Sequence, residues 1–139
     1  VYTIGMYKVR RSADLDVLTL LQLDIFPNDE MYNNESMVFW ISYDSNMVPV
    51  GFAILKEING DSVYFTRAGV SMNHRGKGLH RRMVAARLRY AKRNGYKNVI
   101  TYTIYDNAAS SNTLIKSGFL RYEPQYKWVE KVLFYIKEL

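Results

Sequence analysis

Between residues 62 and 105 the sequence changes hydrophobic period twice, and few architectures accommodate that. Residues 48–58 and 62–70 alternate like two strands around Asn59-Gly60-Asp61, where Asn-Gly favours a tight primed turn. The loop His74-Arg-Gly-Lys-Gly78 then opens a helix running to about Asn94. In that helix Leu79, Met83, Ala86 and Tyr90 form an apolar stripe, with Arg81, Arg82, Arg89, Lys92 and Arg93 directed elsewhere. Gly95 is placed to end it, and residues 97–105 return to a strand. An antiparallel hairpin feeding a strand–helix–strand crossover requires a mixed sheet with helices on its faces.

The rest of the chain extends this plan. Residues 2–9 alternate like a strand, and Ser12 is the expected cap of a helix to about Asp24, with Leu15, Leu18, Leu21, Leu23 and Ile25 on its apolar side. Phe26-Pro27-Asn28-Asp29 breaks that helix into a polar loop reaching about Asn34. Residues 37–43 form the next strand, closed by Asp44-Ser45-Asn46. Asn107 caps a further helix that Gly118 terminates, and residues 119–122 and 128–137 are the closing strands. The expectation is one α/β (α+β) domain over residues 1–139. It has a mixed, mostly antiparallel sheet of six to seven strands flanked by helices, in the order β-α-(α)-β-β-β-α-β-α-β-β. A chain of 139 residues is long enough to bury a core of this size.

Composition removes several chemistries. There is no cysteine, so disulfides, thiolate metal sites and a cysteine nucleophile are excluded, and two histidines, His74 and His80, do not make a histidine-rich metal site. No apolar run is long enough to span a bilayer, and a cytoplasmic protein is expected. The net charge of +6 is unevenly spread, with basic residues concentrated from Arg75 to Lys97 and acidic ones from Asp14 to Glu35. That polarity suits a polyanion at one end and a cation at the other; the alternative is a solvated helix face and an ordinary loop.

A glycine loop entering a helix can aim several backbone N–H groups at an anion, helped by the partial positive charge of the helix start. This loop lacks the Gly-Lys-Ser/Thr of a Walker motif and the third glycine of a dinucleotide fingerprint. Val70-Ser-Met-Asn-His-Arg-Gly-Lys-Gly-Leu79 resembles the acyl-CoA signature of the GNAT superfamily of N-acetyltransferases. Downstream, Asn107-Ala-Ala-Ser110-Ser-Asn-Thr-Leu-Ile-Lys116-Ser-Gly118-Phe119 resembles the family's second block. Three departures stand out: counted from Arg75, His80 occupies a place for a small residue, whereas counted from Asn73 both glycines fit but asparagine replaces Gln/Arg; Met72 holds a place often taken by proline, and Leu114 that of the tyrosine that usually serves as general acid.

The resemblance implies acetyl-CoA as acyl donor, with no metal. Val70, Ser71 and Met72 would meet the pantetheine arm, and the backbone of Val70 would also stabilise the oxyanion. Arg75, Gly76, Lys77, Gly78, Leu79 and His80 would hold the pyrophosphate, with Arg81, Arg82 and Lys116 as candidates for the ribose phosphate. Asn107 and Ser110 would lie beside the cofactor arm, although Asn107 is equally suited to capping its helix. The implied reaction is direct attack by a primary amine, of a small molecule or of a protein lysine or N-terminus, in a ternary complex. A lysine-like amine must first be deprotonated at a cost of about 4.6 kcal/mol at pH 7.

With Leu114 in the tyrosine position, Tyr105, Tyr102 and Tyr122 are the candidate acids, and acid and base stay unassigned. Tyr64 and Arg67 offer no carboxylate, while Glu57 and Asp61 belong to the hairpin tip. Asp29 and Glu30, with Asp24 and Glu35, are expected to line the acceptor side and attract a cationic amine; Phe26, Tyr32, Phe39 and Trp40 could shape its wall. A GNAT-fold protein that binds acyl-CoA without transfer, and a nucleic-acid-associated acyltransferase using the basic helix, are the rival readings. A homodimer is left open.

Overall fold

The computed structural model describes residues 6–29 and 37–139. Its elements are β1 (Lys8–Ser12), α1 (Leu15–Ile25), β2 (Met37–Tyr43), β3 (Pro49–Glu57) and β4 (Ser62–Val70), then a short 3₁₀ turn (Met72–His74). After this come α2 (Leu79–Arg93), β5 (Asn98–Ile104), α3 (Ala108–Lys116), β6 (Leu120–Arg121) and β7 (Val132–Glu138). The seven strands form one mixed sheet, as the sequence pattern predicted, in the order β1-β2-β3-β4-β5-β7-β6. Only β4 and β5 run parallel, which the intervening crossover helix α2 requires.

Both faces of the sheet are covered. Phe39, Ile41, Phe52 and Ile54 bury one face with Leu18 and Leu21 of α1. On the other, Trp40, Leu55, Val63, Phe65 and Val99 pack with Val84, Ala86 and Leu114 from α2 and α3. Residues 50–55 of β3 are therefore buried on both sides, as expected of a central strand.

Local details differ from the sequence expectation. Strand β1 is displaced to Lys8–Ser12, and residues 1–5 lie outside the described residues. Asp14, not Ser12, caps α1, accepting from the Val17 N–H at 3.2 Å. Ser12 is still held in the sheet opposite Phe39, and a carboxylate suits the helix start better than a hydroxyl. Leu15 and Leu23 are exposed, and Gln22 takes the buried place in α1 because Arg67 Nη1 donates to its Oε1 at 3.0 Å. The 58–62 turn is not a primed turn, since neither Asn59 nor Gly60 adopts positive φ. Instead Asn59 Oδ1 accepts from the N–H groups of Asp61 and Ser62, folding the tip as an Asx turn.

Two irregularities open the sheet where β4 meets β5. Ala53 pairs with Ala68, but Leu55 pairs with Phe65, so Thr66 and Arg67 together oppose Ile54 in a β-bulge. Pairing between β4 and β5 stops at Tyr64 and Ile100. Beyond that point the strands fork, held at the base by Thr101 Oγ1, which donates to the Phe65 carbonyl at 2.7 Å.

Candidate active site

The first half of the site is built by the loop before α2. Gly76 and Gly78 adopt φ of 74° and 79°, a left-handed region that glycine enters without a Cβ penalty. Gly78 occupies the cap position of α2 and so offers no side-chain oxygen to the first turn. The first amide of this turn with an acceptor is that of Arg82, donating to the Gly78 carbonyl at 3.1 Å. The backbone N–H groups of residues 76–81 meet no acceptor among the described residues. Orphan donors at the start of a 15-residue helix form a receptor for an anion such as a pyrophosphate.

This cradle opens onto a cleft of about 770 Å³ between the ends of β4 and α3. Val70, Arg75, Gly76, Gly78, Leu79 and His80 line it, with Asn107 and Ser110 across from them and Arg81 and Lys116 at the edge. The structure thus gathers most of the residues that the sequence proposed for the cofactor. Arg82 turns away, its Nη1 donating to the Tyr7 carbonyl at 3.1 Å. Lys77 and Met72 are exposed. Asp24 accepts from Ser71 Oγ at 2.9 Å. The Val70 carbonyl already accepts from Arg75 Nε at 3.0 Å, so an amide arm pairing there must displace that side chain. Asn107 caps α3, Oδ1 accepting from the Ser110 N–H at 3.1 Å, while it also lines the cleft.

A second cleft of about 520 Å³ passes through the fork. One end carries Val84, Arg87 and Leu114 from the α2/α3 face; the other carries Phe26, Asp29, Tyr64, Tyr102 and Trp128. The two clefts share Phe26, Ala68, His80, Asn107 and Ser110, so they meet inside the molecule. Leu114 is buried at the fork and brings no hydroxyl there.

Of the expected acidic rim, Asp29 is the member that lines this second cleft among the described residues. It sits 3.9 Å from Arg67, and Glu30, Glu35, Tyr32 and Asn34 lie outside the described residues. His80 is held neutral at physiological pH, lowered to about 4 by burial first and by the charge of Arg87 second. Arg87, which the sequence reading did not single out, is 2% exposed. Its Nε donates to the Met83 carbonyl at 3.3 Å and its Nη1 to the Ile54 carbonyl at 3.1 Å, opposite the bulge. The guanidinium lies 4.3 Å from the centroid of the Phe65 ring, and burial lowers its pKa to about 9, which leaves it charged at pH 7.

Of the tyrosine candidates, only Tyr102 lines either cleft. Tyr105 is 63% exposed, and Tyr122 packs edge-on to Phe134, where burial raises its pKa. Glu57 accepts from Tyr96 Oη at 2.8 Å and Asp61 pairs with Lys97 at 3.6 Å, both at the far end of the sheet. Phe39 and Trp40 are core residues rather than parts of a wall. Among the described residues no cluster of ligating side chains could hold a metal ion, and no helix is long and apolar enough to cross a membrane.

A mixed sheet forked between two parallel strands, with an anion cradle at the helix that joins them, defines the acyl-CoA acyltransferase fold. An acetyltransferase from Streptococcus agalactiae matches with a TM-score of 0.78 at 15% identity, over 96% of this chain and 99% of that one. A GNAT acetyltransferase from Elizabethkingia anophelis with acetyl-CoA bound matches with a TM-score of 0.79 at 15% identity, over the same shares. Spermidine N-acetyltransferase from Vibrio cholerae matches at 0.76 and 15%, over 96% and 94%. No curated protein sequence matches. The sequence model of the acetyltransferase (GNAT) family matches residues 6–119, and the chain belongs to that family.

Proposed function

We propose that this protein transfers an acetyl group from acetyl-CoA to a primary amine by direct attack in a ternary complex. The carrying observation is that two clefts meet through the forked sheet, one beginning at unpaired backbone donors and the other at an aromatic and cationic wall. Such a passage lets donor and acceptor approach one carbon from opposite sides, which is the positioning an acyl transfer needs. The residues present fit acetyl-CoA, which supplies the thioester. The N–H groups of residues 76–81 suit its pyrophosphate, and Arg81 and Lys116 suit its remaining phosphate. Val70 and Ala68 line the passage toward the bulge, where a backbone N–H could stabilise a developing oxyanion.

The absence of a hydroxyl at Leu114 favours one second reading, an acyl-CoA-binding protein that does not transfer. A single series separates the two. Acetyl-CoA and desulfo-CoA are titrated by calorimetry into the wild-type protein and Gly78→Glu, and thiol release is followed with a panel of amines. Micromolar binding lost in Gly78→Glu, with amine-dependent thiol release, supports the enzyme. Binding without release for any amine supports the second reading, and no binding at millimolar concentration refutes both.

A further inference from the structure

Arg87 is a buried cation without an anion among the described residues. None of the carboxylates among the described residues lies within ion-pair distance of it, and its two hydrogen bonds go to carbonyls. Its Nη2 has no acceptor, yet it is not sealed off, because Ser42 Oγ is the one fully enclosed side-chain polar atom left unpartnered among the described residues. The free edge of the guanidinium therefore opens onto the fork cleft that Arg87 lines. Buried charges are ordinarily paired, and a guanidinium's planar fork of donors matches a carboxylate.

The other charged and titratable groups of this cleft point the same way. Among the described residues that line it, Arg67 adds a second guanidinium, His80 is neutral, and the one carboxylate, Asp29, lies 3.9 Å from Arg67. The balance among these residues favours an occupant that carries a negative group. The opposite wall is aromatic, with Tyr64 and Tyr102 stacked at 6.0 Å and 26°. Trp128 stands edge-on to Tyr64 at 6.4 Å and to Tyr102 at 6.5 Å, so these rings form an angled aromatic corner against which another ring can pack. A cleft of about 520 Å³ has the size of a small-molecule site.

We infer that the acceptor is a small amine bearing both a carboxylate and an aromatic ring, the chemistry of an aromatic α-amino acid. Arg87 receives the carboxylate, and Tyr64, Tyr102 and Trp128 receive the ring. This rests on the acetyltransferase reading and reverses the expectation of a cationic acceptor.

The test uses the wild-type protein saturated with CoA, so that acceptor affinity is read without turnover. Phenylalanine and tryptophan are titrated beside phenethylamine and tryptamine, which lack the carboxylate, and beside spermidine. The amino acids should bind at least 10-fold more tightly than their decarboxylated partners, with spermidine weakest. Arg87→Met should collapse that ratio by weakening the amino acid's Kd, and Arg87→Lys should restore part of it. Equal or tighter binding of the decarboxylated amines or of spermidine overturns the inference, as does failure of all five to bind. Each of those outcomes leaves the transferase reading intact if acetyl-CoA binds and another amine is acetylated. Should Arg87→Met not fold, the wild-type ratios alone decide.

Discussion

Arg87→Met should leave stability unchanged or modestly raised, although it alters one of the most buried side chains in the molecule. Two opposing terms set the magnitude. The Arg87 pKa falls from the usual guanidinium range to about 9, with burial as the cause. At about 1.36 kcal/mol per pH unit, keeping that cation inside costs roughly 5 kcal/mol. Against this stand the bond to the Ile54 carbonyl, whose loss leaves a buried acceptor unpaired at a cost of about 1–3 kcal/mol, and the contact with the Phe65 ring, worth about 1–2 kcal/mol. The Met83 carbonyl lies within α2, four residues before Arg87, and has the helix's own amide as a partner. Methionine fills much of the arginine's volume and keeps a favourable sulfur contact with the ring. The net effect should lie between about zero and 3 kcal/mol of stabilisation, as when other buried charges are exchanged for apolar side chains of similar volume. Urea unfolding monitored by tryptophan fluorescence measures it, with an unchanged dependence on denaturant showing that the same two states are compared. A loss above about 3 kcal/mol would refute the reasoning and make Arg87 a clamp for the bulge rather than a charge kept for a ligand.

Other outcomes follow from the same geometry. His80 is lowered to about 4, so an unfolded chain takes up a proton near 6.5 that the folded one refuses. Its contribution is constant above pH 6.5 and falls as pH drops toward 4, by up to about 3 kcal/mol, so the stability difference between wild type and His80→Asn should change between pH 7 and 4.5. Asn107→Ala should lose a helix cap worth about 1 kcal/mol while Asn107→Asp keeps it. If Asp also preserves acetyl-CoA affinity in calorimetry, capping is the whole role of Asn107. A methyl group at Gly69 would stand 2.6 Å from Ile25 Cγ2 and 2.9 Å from Phe26 Cε2. Gly69→Ala should therefore cost about 1–3 kcal/mol in thermal or urea unfolding and weaken acetyl-CoA binding, because Phe26 lines both clefts. Finally, His80 near 4 and Arg87 near 9 leave neither at its midpoint near pH 7. The rising limb of kcat/KM should then track the acceptor's own amine, and a limb that stays fixed when the acceptor is changed would reveal a base in the protein.

The fold was legible because its signals are local. Alternation in residues 62–70, the glycine loop and the stripe of Leu79, Met83 and Ala86 each follow from backbone geometry within a few residues. The order of the last strands was not legible, since nothing in residues 128–137 says that β7 inserts between β5 and β6. The helix start shows how local rules compete. Ser12 and Asp14 are both good caps, and the pairing of Ser12 with Phe39 across the sheet decided between them. Gln22 likewise is polar by type but buried, because a long-range partner, Arg67, makes its position favourable.

The site was half legible for the same reason. A glycine loop announces itself, and the cradle stands where the motif placed it. The fork does not, because it arises from one extra residue in β4 opposite Ile54 and from the end of a pairing between strands 36 residues apart. Arg87 was hidden by its own chemistry, since a stripe counted on apolar residues skips an arginine four positions after Met83. Spacing alone would have marked it, because position 87 falls within the buried stripe whatever residue fills it. The departures at His80 and Leu114 looked unrelated in the sequence, one in each motif. In the structure they line one cleft, together with Arg87. Where a hydroxyl is missing, this chain has placed a guanidinium and an uncharged imidazole. On the inference drawn above, that lining serves to hold a negative charge on the acceptor rather than to donate a proton.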